Sequence, residues 1–249
     1  MLKDSHLIPK WAYKRLLNAD QESKHPIRVA GDAACLTSKQ ITQHLLCEDC
    51  ESLFSKREDY VAQLTALEND APKILQSVTR LDTPRKVLSE LGSNIDSEQI
   101  AYFASSILWR SCVMRRGCQL GPYESQFRSY LLEEGSFPSF AMLSLGILEP
   151  SAPSDNPYHW INPYLWVTEP SSSRADALRL HGFILCGLVF RCFIGQALPT
   201  KVKQICLAGT APRKYVSLLA PERCGDFLNA FDMLANAKPH GKLAVSRLE

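Results

Sequence analysis

Several signals are missing from this sequence. Its most apolar run, residues 181–195, is interrupted by Arg191 and falls short of the ~20 residues that a membrane-spanning helix needs, so no membrane segment is expected. There is no glycine-rich phosphate loop and no Gly-x-Ser-x-Gly elbow, which removes the signatures of P-loop nucleotide binders and α/β-hydrolases. Excess charge of one sign is lacking too. The 28 Lys+Arg against 26 Asp+Glu leave a net charge of +2, so nucleic-acid contact would have to come from a local patch. No internal repeat or low-complexity segment is found. The polar N-terminus, with Lys3, Asp4 and His6, gives no secretory leader, and nine cysteines, an odd number, suit a reducing cytoplasm better than a disulfide framework.

What is present is an ordinary globular composition, 45% hydrophobic over 249 residues, enough to bury a sizeable core. Three basic clusters stand out: Lys10, Lys14, Arg15, Lys24 and Arg28; Lys56 and Arg57; and Arg110, Arg115 and Arg116. Taken alone, each reads as a solvated face.

Along the chain, residues 2–8 suit a short strand, and Pro9 suits the first turn of a helix carrying Trp11, Ala12, Arg15 and Leu16. Residues 18–39 are irregular, with turns at His25-Pro26 and Gly31-Asp32. Residues 43–46 suit a second strand returning beside the first, and Leu53, Phe54, Tyr60, Val61, Leu64 and Leu67 make the stripe of a helix opened by Cys50. Helices are also expected over residues 71–91, broken at Thr83-Pro84, and over 124–134. Asp96-x-x-Gln99 is a capping box ahead of a buried face formed by Ile100, Phe103, Ala104, Ile107, Leu108 and Ser111, with Trp109 and Arg110 at its edge and Gly117 beyond its end. Residues 140–148, 182–195 and, more weakly, 205–219 read as strands, with Cys186 and Cys192 on one strand face. Residues 151–157 and 169–173 read as loops, 221–237 as a terminal helix, and the segment after Lys238 as a mobile tail. The fold class is therefore α+β. It comprises an N-terminal ββα finger-like unit (1–68) and a helical segment leading into a C-terminal mixed α/β region with an antiparallel or mixed sheet (69–249).

The chemistry concentrates in the first sixty residues. Cys47-x-x-Cys50 has the spacing of a zinc knuckle, two thiolates on one tight turn before a helix. His6, at a strand end beside that pair, is a general-base candidate, since a histidine titrates near neutral pH. The segments Ser5-His6-Leu7-Ile8-Pro9, Leu45-Leu46-Cys47-x-x-Cys50-Glu51 and Phe54-Ser55-Lys56-x-Glu58 together resemble a divergent HNH (His-Me finger) endonuclease. The run from Ser106 to Arg110 also resembles a helix that follows this unit in bacterial proteins of similar layout.

This resemblance implies a metal-dependent endonuclease hydrolysing phosphodiester bonds of DNA, of the kind used in bacterial mobile-element or anti-phage defence systems. Its partners would be DNA and a protein that supplies target recognition; independently of the resemblance, strands apolar along their length need both faces covered, by the chain's own helices or by a second copy of the chain. His6 would take the proton from the attacking water, and one Mg2+ would polarise the phosphate. His6 and Glu51 are then the catalytic candidates, and Asp4, Glu58, Cys47 and Cys50 the metal-ligand candidates. Lys10, Lys14, Arg15, Lys56 and Arg57 become the nucleic-acid contacts. Two departures are visible. Ser5 stands where the family usually has an acidic residue, and carboxylates replace its helix His or Asn. Structural Zn2+ would need four ligands; the family often adds a second Cys-x-x-Cys before the histidine, absent here, and Cys35, His25 and His44 are the candidates to complete a site. The competing reading is a non-catalytic, zinc-stabilised module for protein interaction or ligand sensing.

Overall fold

Leu7, Ile8 and Pro9, all buried, separate the first strand from the first helix in the computed structural model. It describes residues 1–18, 25–82, 88–150, 158, 161–175, 178–196, 198, 200–203, 205–209 and 214–245. Strand β1 (Lys3–His6) leads into helix α1 (Lys10–Asn18). The stretch that reads as irregular contains a hairpin, β2 (Ile27–Ala30) and β3 (Ala33–Leu36), turning at Gly31-Asp32 with Gly31 in the left-handed region. Strand β4 (Thr42–Leu46) then returns antiparallel to β1, and helix α2 (Glu48–Thr65) follows at once. The expected strand pair and helix are thus in place, with α1 and the hairpin between the strands.

Residues 71–91 are not helical as the sequence suggests. The chain makes a two-residue ribbon, β5 (Leu67–Glu68) with β6 (Ala71–Pro72), one 3-10 turn, and an antiparallel pair, β7 (Val78–Arg80) with β8 (Leu88–Leu91). Asn69 and Asp70 at positive φ and β-branched Val78 and Thr79 favour that outcome, and pairing with the main sheet completes it. The Thr83-Pro84 break lies outside the described residues. Helix α3 (Ser97–Val113) starts as expected, the Asp96 carboxylate accepting from the amides of Glu98 and Gln99 at 3.0 and 3.2 Å. Trp109 and Arg110 are not at an edge but buried with the rest, because α3 is enclosed all round from Ile100 to Ser111.

After α4 (Glu124–Leu131) come the strands of the main sheet: β9 (Ala141–Leu148), β10 (Ser171–Ala175), β11 (Leu178–Leu185) and β12 (Leu188–Ile194). A short helix, α5 (Thr200–Lys203), precedes β13 (Tyr215–Leu219). Their order with β7 and β8 is β10-β11-β12-β9-β13-β8-β7, and only β9 and β13 run parallel. Three expectations are corrected here. Residues 182–195 belong to a hairpin, and Cys186 sits in its two-residue turn, away from the strand position of Cys192. Residues 169–173 run into the edge strand β10, whose exposed serines make a polar sheet edge. The segment after Lys238 is ordered as well: beyond α6 (Gly225–Asn236), β14 (Lys238–His240) pairs parallel with β3, and α7 (Lys242–Val245) follows. Residues 151–157, read as a loop, lie outside the described residues.

Both sheet faces are covered by the chain itself. On one, Phe183, Leu188, Phe190 and Cys192 meet α3, with Phe103 and Phe190 ring centroids 5.8 Å apart. On the other, Leu148, Ile184 and Val189 meet Phe227 of α6 and Trp166. The N-terminal unit joins the α3 side. Phe54 of α2 packs edge-on against Tyr102 and Trp109, and Leu7, Ile8 and Val61 share one apolar core with the sheet. Among the described residues no helix is long and apolar enough to cross a membrane.

The β11–β12 turn, Cys186-Gly187, has both residues at positive φ, the primed geometry whose twist suits a two-residue hairpin. A methyl group at Gly187 would lie 2.6 Å from the Tyr164 ring in addition to the left-handed strain of about 1–2 kcal/mol. Gly187→Ala should therefore lower the urea midpoint clearly, whereas Gly135→Ala, with open space around the new methyl, should leave it nearly unchanged.

Candidate active site

The ribbon of β1 and β4 lies on the first two turns of α2, and Ser5 is the buried strand residue that bonds the helix. Fully buried, it accepts the Leu46 amide at 3.2 Å and donates its hydroxyl proton to the Glu51 carboxylate. Ser5 thus holds the helix carboxylate in place. Across the ribbon, Asp4 stands opposite His44 and His6 opposite Thr42. His6, at the end of β1, is half-buried and its carbonyl is tied down; Asp4 is exposed.

That carbonyl is held by Arg110, a residue the sequence placed at the edge of α3. Its guanidinium, 2% exposed, donates to His6 O at 2.6 Å, to Glu58 Oε1 at 2.6 Å and to Ser106 O at 3.3 Å, and lies over the Phe54 ring. Glu58, a metal-ligand candidate, is thereby committed to an ion pair. An arginine inside an otherwise apolar helical run was the available signal, since a buried arginine is rare unless paired.

Asp4 and Glu51 line one groove of about 540 Å³ with Lys3, Glu48, Ser52, Ser55, Lys56 and Asp59. Lys3 pairs with Glu48 at 3.2 Å, so carboxylates outnumber free cations along it. Of the five nucleic-acid candidates, Lys10, Lys14 and Lys56 are exposed. Arg15 instead caps α2, donating to Thr65 O at 2.7 Å and Ala62 O at 3.4 Å, and Arg57 pairs with Glu133 at 3.0 Å while covering the Tyr102 ring. In the outer basic clusters, Arg28 bonds Glu169 at 3.1 Å, Arg115 and Arg116 are exposed, and Lys24 lies outside the described residues.

Cys47 is the N-cap of α2 and Cys50 lies in its first turn. The exposed Cys47 sulfur makes no regular capping bond, yet the Cys50 amide and thiol face it and lower its pKa; burial raises that of half-buried Cys50. Two thiols are half of a closed tetrahedral zinc site, and among the described residues no group of three or more His, Cys, Asp or Glu side chains converges. Cys35, His25 and His44 do not complete one. Among the described residues the cysteine pair therefore has no third or fourth zinc ligand beside it. Asp4 and Glu51 do suit Mg2+, which takes one or two carboxylates and fills its remaining positions with water and substrate phosphate.

A second polar cluster was not legible. His181 and Cys118, 63 positions apart, meet inside the fold. Ser172 Oγ donates to Gly117 O at 2.9 Å and lies 2.7 Å from His181 Nδ1, with Cys118 Sγ 3.3 Å from the same nitrogen. Burial pushes the Cys118 thiol up to about 12 and His181 down to about 4, with Arg179 adding to the latter. Both therefore stay neutral near pH 7, the opposite of a thiolate–imidazolium pair. His159 and Trp160 lie outside the described residues.

No family model, curated protein or solved structure matches the chain.

Breaking the Arg110–Glu58 pair from one side leaves a buried charge unpaired. Arg110→Met should cost about 3 kcal/mol by urea unfolding, and a double-mutant cycle with Glu58→Gln should give a coupling above about 1 kcal/mol. His181 predicts an acid-side loss. Its pKa is depressed in the folded state, so its contribution is fully present above the unfolded value of 6.5 and is lost as pH falls toward about 4. Between pH 6.5 and 4 stability should drop by up to about 1.4 kcal/mol per pH unit, a component that His181→Asn should lack.

Proposed function

We propose that the protein is a metal-dependent, HNH-like nuclease that hydrolyses phosphodiester bonds of DNA. The observation that carries this reading is the placement of His6 at the end of β1, two residues along from Asp4, on a two-stranded ribbon seated on α2; Asp4 and Glu51 line one groove, and His6 is not among the residues that line it. His6 acts as general base toward water, and its backbone is held by Arg110 so that the strand end keeps its position. A divalent ion bound by Asp4 and Glu51 would supply Lewis-acid polarisation of the scissile phosphate. Ser5 orients Glu51, and the exposed Lys10, Lys14 and Lys56 offer point charges to the phosphate backbone. Three such contacts give modest affinity, which suits a protein that depends on a partner for target choice, as in defence or mobile-element systems.

A second reading, a non-catalytic interaction or sensing module, is favoured by one specific observation. Glu58, Arg15 and Arg57, three of the residues expected at the site, are engaged in bonds within the fold.

Relaxation and linearisation of supercoiled plasmid with Mg2+ or Mn2+ separates the two. Wild type should cut, and His6→Ala should lose about 100-fold or more of the rate, the usual weight of a general base, with an unchanged circular dichroism spectrum. Absence of cutting by wild type with either ion, in a folded protein, would favour the interaction module.

A further inference from the structure

We propose that Cys47 and Cys50 form a redox-active dithiol that exchanges with small-molecule disulfides and closes a Cys47–Cys50 disulfide across the first turn of α2. The inference is independent of the nuclease reading. It starts from the mismatch just described: a Cys-x-x-Cys pair around which, among the described residues, no zinc ligand set is gathered.

Position supplies the chemistry. Cys47 is the N-cap, with extended backbone at φ −76° and ψ 172°, and Cys50 is the third residue of the helix. An N-cap side chain turns back over the first turn toward that third residue, as in a capping box, so the position of the two cysteines brings their thiols to the same side of the first turn. Of the nine cysteines Cys47 is the exposed one, while Cys50 is half-buried behind it. That asymmetry is what a nucleophilic and a resolving thiol require. Amides at the helix start face the Cys47 sulfur and favour its thiolate. The acidic residues Glu48, Asp49 and Glu51 work against this, so exchange is slower than at a site flanked by cations.

The reaction balances without a metal. The Cys47 thiolate attacks one sulfur of a disulfide such as oxidised glutathione. A Cys47–glutathione bond forms, and the first glutathione leaves as thiolate and takes up a proton. Cys50 then loses its proton to solvent and attacks Cys47 Sγ; the Cys47–Cys50 bond forms and the second glutathione leaves. The protein dithiol is oxidised by two electrons, and one glutathione disulfide becomes two thiols.

The test treats the folded, full-length protein with oxidised glutathione, quenches with acid, denatures it and alkylates the remaining thiols. In wild type the alkylated cysteines should fall from nine to seven, with a Cys47–Cys50 linked peptide in the digest and recovery of all nine after dithiothreitol. Cys50→Ser should stop at one glutathione on Cys47, and Cys47→Ser, which keeps a good helix cap and so should stay folded, should show neither product. Three results would overturn the proposal. One is nine alkylated cysteines after oxidation. Another is a glutathione that stays on Cys47 in wild type. The third is bound zinc that shields the pair until a chelator removes it.

Discussion

A single guanidinium inside α3, a helix buried all round from Ile100 to Ser111, sets the relation between three elements that are far apart in the chain. Arg110 on α3 is tied to the carbonyl at the end of β1 and to a carboxylate on α2, with an aromatic ring of α2 beneath it. Taking such a charge out of water costs several kcal/mol, and only a nearly complete set of acceptors offsets that cost. Beyond Ser106 on α3 itself, the acceptors are supplied by the N-terminal unit, so α3 is fully compatible with burial only when that unit is docked. Apolar packing of Phe54 on Tyr102 and Trp109 would tolerate small shifts of α2; the directed bonds of Arg110 do not. The end of β1, where His6 sits, inherits that rigidity.

The two faces of the main sheet divide the molecule chemically. The α3 side carries the N-terminal unit and its groove, and the α6 side closes over Trp166 and Phe227. Between them the ionisable groups sort by solvation. Cys118, Cys192 and His181 lie within the core, where burial suppresses their charged forms, and they serve packing and internal hydrogen bonding. The exposed Asp4, Cys47 and Lys56 lie instead at the surface, with half-buried Glu51 among them held by Ser5.

Much of this was legible where the determinant is local. The Asp96 cap, the strand stop before Pro9, the antiparallel return of residues 43–46 and the start of α2 each depend on a few neighbouring residues, and the structure has them. Pairing between distant segments was not legible. Strand β10 is a polar serine edge that becomes a strand only beside β11, and β7 and β8 become strands through each other and β13. In the site, His6, Asp4 and Glu51 were visible as residue types, whereas the commitment of Glu58 to Arg110 and of Glu51 to Ser5 requires knowing which elements touch. Tertiary contacts of this kind carry no periodicity, and so leave no pattern to read.

Strand β14 is the third member of the small sheet, paired parallel with β3 from near the other end of the chain. During synthesis the β2–β3 hairpin leaves the ribosome long before its partner exists, and a lone two-stranded hairpin is marginal in water. Its outer strand must wait with unpaired backbone groups while the main sheet assembles. Closing so long a loop costs more chain entropy than the local hairpin does, so the pairing of β14 with β3 relies on the rest of the fold to bring the two segments together.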